Sequence, residues 1–515
     1  MKTVNAVIGN NLDDCVTLVG SAVAGDTICF VCDGDVRSII AREEIAAWHK
    51  AAIKTIDEGS FVHKYGAAIG VATKRIAEGS LVHIHNMRSP EIFDVQADSA
   101  VKDPEPSVSG AIVTEPSASG AAVTGSADQR HFFGYKRPDG KTGVRNHVVV
   151  MPGVICATVA ARRIAAATGA VYLDNPFGCG QTVADTERTL HILSGLLANP
   201  NVYGALIVGL GCEFLSEERY RSAIESKSKG KPLGYVCIQK DGAIAGTVEK
   251  GERIVREMLE EATKCARVEC DISELMLGLE CGGSDPTSGL SANVVLGQVS
   301  DRLVDIGGTV VISETAEAIG AEKALMDRGA TPEIGRALYD CVRNKDAAYA
   351  ELGENIRNSN PSPGNIKSGI TTLEEKSLGC INKCGTRPFA ALVGYGDIVD
   401  VRGVVFMDTT AYDAASVTAK IAGGCQVVAF TTGLGNPIGN AIAPVIKITG
   451  NSDTGSILSD MIDFVTGDTL IGCKTVAQSA DELIELLLRV CSGEPVKAEI
   501  NGSDVISIDH RHMLA

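Results

Sequence analysis

LECGGSDPTSGLSANVVLGQVSDRLVDIGGTVVISETAEAIGAE, residues 279–322, decides both the fold and the place of the chemistry. It sets a thiol, a carboxylate, several hydroxyls and paired glycines behind the apolar run 275–279, then repeats the arrangement at 312–314. A short apolar run of this kind reads as a buried strand. Glu280, Cys281, Ser284 and Asp285 therefore fall just past a strand end, where open α/β sheets hold their ligands. Glu314 takes the equivalent place after the next strand. The bland alternative is a Gly-rich connection between strand and helix.

Outward from this stretch the same alternation continues. Candidate strands at 147–151, 205–209, 233–238, 275–279 and 309–312 are separated by helical patterns at 157–167, 186–198 and 246–264. Strands alternating with helices imply a mainly parallel sheet covered by helices. A second set at 404–407, 427–431, 445–448 and 469–473, closed by an amphipathic helix at 480–491, predicts a further α/β domain. Before residue 96 the runs are short and broken by Gly and Asp, which suggests a small β module. Between them, EPSVSGAIVT (105–114) is repeated as EPSASGAAVT (115–124), a composition with little to bury that reads as a tether. The predicted division is a β module at 1–95, a flexible linker at 96–130, a Rossmann-like α/β domain at 131–355 and a C-terminal α/β domain at 356–515.

Composition excludes several classes of function. The 515 residues carry a net charge of −17, and no run of Lys and Arg is long, so a general nucleic-acid partner is not expected. No apolar run is long enough to span a bilayer, and the polar start MKTVNAVIGNNLDD lacks the regions of a signal peptide. A cytoplasmic protein without a membrane partner is expected, acting on a small molecule and assembling as a homo-oligomer. Sixteen cysteines are dispersed through apolar segments, which favours buried thiols over a disulfide frame.

Further constellations lie at predicted sheet ends. PFGCGQ (176–181) flanks Cys179 with glycines, and GLGCE (209–213) delivers Cys212 and Glu213 after a strand; thiols so placed suit a borderline metal or an anion cradled by backbone amides. In VHIHN (82–86) a strand would turn His83 and His85 to one face, half of a metal site. Cys380 and Cys384 would need further thiolates to hold an iron–sulfur cluster. Arg137 and Arg145, with Lys136 and Lys141, supply cations for a carboxylate in GYKRPDGKTGVRNH (134–147). The long loop 360–379 adds Lys367 and Thr371, and FTTG (430–433) adds Thr432.

Taken in order, FFGYKRPDGKTGVRN, the GCGQ turn, GLGCE, LECGGSDPTSGLSAN, GGTVVISETAEAIGAE, NPSPGNIKSGITTLEEKSLG, FMDTTAYD and FTTGLGNPIGNAIAPVIKITGN resemble the altronate and galactarate dehydratase family over about residues 133–467. Residues 49–86 look like that family's small β-clip module. The resemblance implies elimination next to a carboxylate: dehydration of a sugar acid to a 2-keto-3-deoxy acid with Fe2+ or Mn2+, or, in one branch, loss of sulfite from sulfolactate. On that reading Glu213, Glu280, Asp285 and Glu314 are candidate acid/base groups. Arg137, Arg145, Ser284, Lys367, Thr371 and Thr432 would hold the substrate, and His83, His85, Cys179 and Cys212 the metal. Three departures put the usual substrates in question. Asn175 stands where many members have His, Leu434 stands where FTTGRG is usual, and DMIDFVTG (460–467) replaces DMDINAG. A sugar-acid-binding paralogue without catalysis is the rival reading.

Overall fold

Alternating burial along TICFVC makes Thr27–Cys32 a half-buried strand, and the Asp33–Gly34 pair, with φ of 55° and 81°, turns the chain into Asp35–Ile40. Left-handed values at both central residues suit a hairpin because the turn's twist matches that of the strands. Tyr65–Gly66 joins Phe61–Lys64 to Ala67–Ala72 by the same device. These hairpins belong to a small β module of one six-stranded and one three-stranded sheet. The computed structural model describes residues 1–90 and 130–510. The tandem decapeptide and residues 96–129 of the linker assigned to it lie outside the described residues.

A four-stranded parallel sheet follows, ordered Val171–Tyr172, His147–Pro152, Val202–Gly209, Leu233–Cys237. Successive side chains in its second strand go to opposite faces. Val148 and Val150 pack under helices Thr158–Thr168 and Ala243–Thr263, while Val149 and Met151 pack with helix Val183–Ala198. That second face also meets residues of the large sheet, Val405, Met407 and Val428 among them, in one core.

The large sheet has seven strands, all parallel: Phe389–Val393, Gly403–Met407, Thr309–Ile312, Met276–Cys281, Val427–Thr431, Val445–Thr449 and Phe464–Val465. Its centre is Met276–Cys281, the strand read first from the sequence. The sheet runs across the expected boundary at 355/356, because hydrogen bonding pairs Met276–Cys281 with Val427–Thr431 and not with the smaller sheet. The break between the two α/β units falls near residue 268, ahead of this strand. The strand expected at 469–473 is also corrected. That segment opens as a short 3-10 turn at Gly467–Thr469, and the edge of the sheet is the two-residue strand Phe464–Val465. Among the described residues no helix is long and apolar enough to cross a membrane.

Candidate active site

Pairing in register carries side chains from neighbouring strands to the same face. Glu280 lies opposite Phe430, and Phe430 opposite Lys447, so the three form a row across the carboxyl half of the large sheet. The Lys447 ammonium sits 3.5 Å from the centre of the Phe430 ring. Glu314 enters the same space at the end of Thr309–Ile312. It is held at a φ of +70°, a conformation costly for a residue with a side chain. Asp413, at the start of helix Asp413–Ala422, completes the group: ligand oxygens of Glu280, Glu314 and Asp413 all lie within 4.8 Å of one another.

Gly282 and Gly283 make this approach possible. A Cβ on Gly282 would stand 2.2 Å from Asp413 Oδ2, and Gly283 has a φ of +63°, which only glycine adopts without strain. The paired glycines after Cys281 thus let the carboxylates close on one another.

Cations are interleaved with the acids. Lys420 Nζ donates to Glu280 Oε2, to the Leu279 carbonyl at 2.7 Å and to Ser313 Oγ at 2.7 Å. Lys383 Nζ donates to Glu314 Oε2 at 3.2 Å and to Cys380 Sγ at 2.7 Å. Both lysines and both glutamates are fully buried. A hydrogen bond from Cys380 holds the Cys281 thiol down to about 5 against its burial, with Lys383 assisting. The Cys380 thiol is pushed up by sharing that proton and by burial. Burial, with the charges of Glu280 and Cys281, raises Asp413 to about 7. Burial lowers Lys447 to about 7, although Asp413 and Glu280 oppose the shift.

Glu280 Oε1, Glu314 Oε1 and Lys447 Nζ are buried without any hydrogen-bond partner. Such atoms are costly unless something else binds them. Burial, with the neighbouring Glu280, pushes the Glu314 carboxyl well above its ordinary range, a cost that a cation between the carboxylates would relieve. An all-oxygen set of three carboxylates suits a divalent cation of the Mn2+ or Fe2+ kind. The donor set therefore fits such an ion.

The structure brings together only part of what the sequence nominated. Glu280, Glu314 and Ser284 are in the site, with Ser284 Oγ 3.1 Å from Cys281 Sγ. Asp285 is close by, but its carboxylate is taken by Thr287 Oγ1, Ser288 N and Asn451 Nδ2, and burial raises it. Thr432 Oγ1 accepts from Gly435 N and would be 3.2 Å from a Cβ on Gly283, so it shapes the floor of the same turn. Lys367, exposed at the end of the short helix Pro363–Lys367, is at the rim: a Cβ on Gly364 of that helix would lie 3.5 Å from Leu434.

The other nominations are engaged elsewhere or lie apart from this cluster. Arg137 is consumed by the Pro200 and Arg145 carbonyls and by Asn146, and Arg145 by both oxygens of Glu499 at 2.8 Å. Thr371 donates its amide and hydroxyl to Glu375. Although burial raises it, the Glu213 carboxyl is held low by the amides of Gly211 and Cys212 and by Tyr235, so it is a loop anchor. The strand carrying VHIHN ends at Val82; His83 then stacks on His49 and meets the Ile366 carbonyl at 3.2 Å, while His85 is exposed. Cys179 and Cys212 are exposed at the end of the smaller sheet, away from the carboxylates. Cys384 Sγ donates to the Ile381 carbonyl at 3.0 Å and accepts from Arg328. Asp413, Lys383, Lys420 and Lys447 were missed, and the available signal was a lysine inside an apolar run, as in VIKIT and VTAKIA.

Comparison with known proteins agrees with this division of the chain. Residues 4–90 match the altronate/galactarate dehydratase SAF domain, 134–263 the second domain of D-galactarate dehydratase/altronate hydrolase, and 272–513 the D-galactarate/altronate dehydratase C-terminal domain. Altronate dehydratase of Bacillus subtilis is 32% identical over 92% of this chain and 92% of its own length. Altronate dehydratase of Escherichia coli is 32% identical over 91% and 92%. The (2R)-sulfolactate sulfo-lyase subunit beta of Chromohalobacter salexigens is 33% identical over 72% of this chain and 95% of its own. These relatives are lyases, and the chain belongs to the D-galactarate/altronate dehydratase family.

Proposed function

We propose that the protein is a hydro-lyase that removes water from a hydroxy carboxylic acid of the sugar-acid class, giving a 2-keto-3-deoxy acid. The observation that carries this reading is the convergence of three buried, unpartnered ionisable atoms, Glu280 Oε1, Glu314 Oε1 and Lys447 Nζ, in one cluster. Glu280, Glu314 and Asp413 would hold a divalent cation, which when bound supplies Lewis-acid stabilisation of the enediolate that forms as the α-proton leaves.

The remaining work falls to side chains of this chain. Lys447 Nζ, neutral above about 7, has a lone pair that no protein donor claims, and it serves as the base for the α-proton. The ammonium so formed is then the proton donor for the departing β-hydroxyl. Lys420 and Lys383 fix the two glutamates in place by hydrogen bonds at full burial. Burial of Glu280, Glu314, Lys383, Lys420 and Lys447 limits the access of bulk water and strengthens these interactions.

A test is turnover of a panel of hydroxy acids by purified protein with Mn2+ or Fe2+, read as keto-acid formation. Product with the wild type and none with Lys447→Met supports the reading. The sulfo-lyase relative, together with Leu434 at the rim, favours one second reading, elimination of sulfite. Release of sulfite from a sulfonated hydroxy acid, with no keto acid from sugar acids, would select it.

A further inference from the structure

Glu280 shares its face of the large sheet with Lys447, and Cys281, the next residue along the strand, is turned to the other face. There it meets Cys380, and the two buried thiols have no part in the elimination. Cys281 ends the central strand of the large sheet, whereas Cys380 lies near the end of helix Leu373–Ile381. A hydrogen bond joins them, donated by the Cys380 thiol to Cys281 Sγ. Asn293 ties the same two segments, because its Nδ2 stands 3.9 Å from Cys281 Sγ and donates at 2.9 Å to the carbonyl of Gly379, the residue before Cys380. The contact is therefore held from both sides.

This thiol pair is linked to the carboxylate site. Glu314 Oε2 accepts from the Cys281 amide at 3.3 Å and from Lys383 Nζ at 3.2 Å, and the same ammonium donates to Cys380 Sγ at 2.7 Å. Each cysteine thus bears directly on a group that holds Glu314. Cys384, a helical turn beyond Cys380, is engaged elsewhere, since it donates to the Ile381 carbonyl at 3.0 Å.

We propose that Cys281 and Cys380 are an oxidation site that a hydroperoxide closes to a disulfide, and that closure displaces Glu314 from the carboxylate cluster. Hydrogen peroxide is scarcely larger than water, which suits thiols that are only 4% and 5% exposed. The proton between the sulfurs belongs to Cys380, so Cys281 is the sulfur that attacks. Its electron pair forms a bond to one peroxide oxygen, the O–O bond breaks, and the hydroxide set free takes up the proton shed by Cys281 and leaves as water. Cys281 is then a sulfenic acid, which condenses with a neighbouring thiol. Cys380 gives up its proton beside the Lys383 ammonium and attacks the Cys281 sulfur, and the hydroxide it displaces leaves with that proton as a second water. Two thiols and one peroxide become one disulfide and two waters. Sulfurs already in contact need only close further, but doing so draws strand end and helix together and moves the Cys281 amide and Lys383 away from Glu314. The effect on turnover rests on the hydro-lyase reading; formation of the bond does not.

The test treats the full chain with a few equivalents of hydrogen peroxide, blocks the remaining thiols with iodoacetamide in denaturant, and digests with trypsin and a glutamate-specific protease. Cleavage after Glu280, Arg302, Lys376 and Lys383 isolates the two cysteines in peptides 281–302 and 377–383. A disulfide-linked pair of these peptides is expected, lost on reduction with dithiothreitol. In calorimetry the oxidised protein should bind Mn2+ about tenfold or more weakly, with affinity regained on reduction. Cys380→Ser should stop at the sulfenic acid of Cys281, trapped by dimedone, and Cys281→Ser should give neither product. Should a variant misfold, the wild-type map decides alone. Recovery of both peptides unlinked, or of either joined to another cysteine, overturns the disulfide, and a linked pair with unchanged Mn2+ affinity overturns the coupling to Glu314. A linked pair in a protein that binds no Mn2+ and turns over no hydroxy acid refutes the reading of the carboxylates and leaves the disulfide standing.

Discussion

Lys447 lies fully buried over an aromatic ring in the middle of a strand, a position an apolar residue would fill at less cost. Its group is lowered to about 7 in the folded protein from 10.5. Between those values the unfolded chain binds the extra proton, so stability rises with pH across that window and the burial penalty is fully present below about 7. Lys447→Met should therefore raise stability at neutral pH by about 1–3 kcal/mol in urea titrations while lowering turnover about a hundredfold or more. The rate of the wild type should climb through pH 7; a flat profile from 6 to 8 would remove Lys447 as the base. Glu314→Gln, which keeps the shape and removes a charge, should weaken Mn2+ binding by about tenfold or more in calorimetry, and an unchanged affinity would move the ion elsewhere. Glu280 and Glu314 were legible in the sequence because a carboxylate directly after an apolar run must emerge at a sheet end. Lys447, Lys420 and Lys383 were not, since a buried lysine looks like any polar interruption until its partners, a hundred residues away, are known.

At the level of elements, the turn that follows strand Val427–Thr431 carries the clearest departure from the family's usual sequence. Leu434 donates its amide to the Gly283 carbonyl at 2.8 Å, so the turn is bonded to the glycine pair beneath the site, while its side chain is 44% exposed at the rim. An arginine there would reach a distal polar group of a substrate, and one charge-assisted contact is worth about 1.5–3 kcal/mol. Leu434→Arg should raise kcat/KM for a longer sugar acid about ten- to a hundredfold relative to the native substrate, with the fold unchanged because the side chain is outside the core. No gain on adding the arginine, with efficient turnover of galactarate or altronate by the wild type, would return the chain to the usual specificity. Most strands were legible because parallel strands buried on both faces are continuous apolar runs. The run 469–473 was not a strand because glycines at 467 and 472 break it. VHIHN failed for a similar reason: the module's strands are two to six residues long, too short for alternation to be told from a turn.

At the scale of the whole molecule, a buried carboxylate is among the ties between the β module and the α/β body. Glu375 receives Lys50 Nζ at 2.9 Å and Lys64 Nζ at 2.8 Å, both from the β module and both buried. Burial would raise Glu375, yet the two lysines hold it far below the usual carboxylate range. Its contribution is thus present above about 4.5, the ordinary value, and is lost as pH falls below that toward its folded value. Glu375→Ala leaves two buried ammonium groups without a counter-charge, and should cost about 3–5 kcal/mol, seen as a lower midpoint in thermal unfolding. An unchanged midpoint would mean that the module's docking depends on its apolar contacts alone. The pairing was invisible in the sequence, because Glu375 lies more than three hundred positions from either lysine and such a separation carries no local pattern.

The strand order of the large sheet also governs how the chain is made. Met276–Cys281 takes its neighbour on one side from Thr309–Ile312, about thirty residues on, but its other neighbour, Val427–Thr431, leaves the ribosome some 150 residues later. At about 5–20 residues per second, that is a wait of roughly 10–30 s. During it, an apolar strand bearing the reactive Cys281 has an open edge, a template for pairing with another nascent chain. Yield on overexpression should for this reason respond to translation rate and to chaperones more than to the stability of the finished protein.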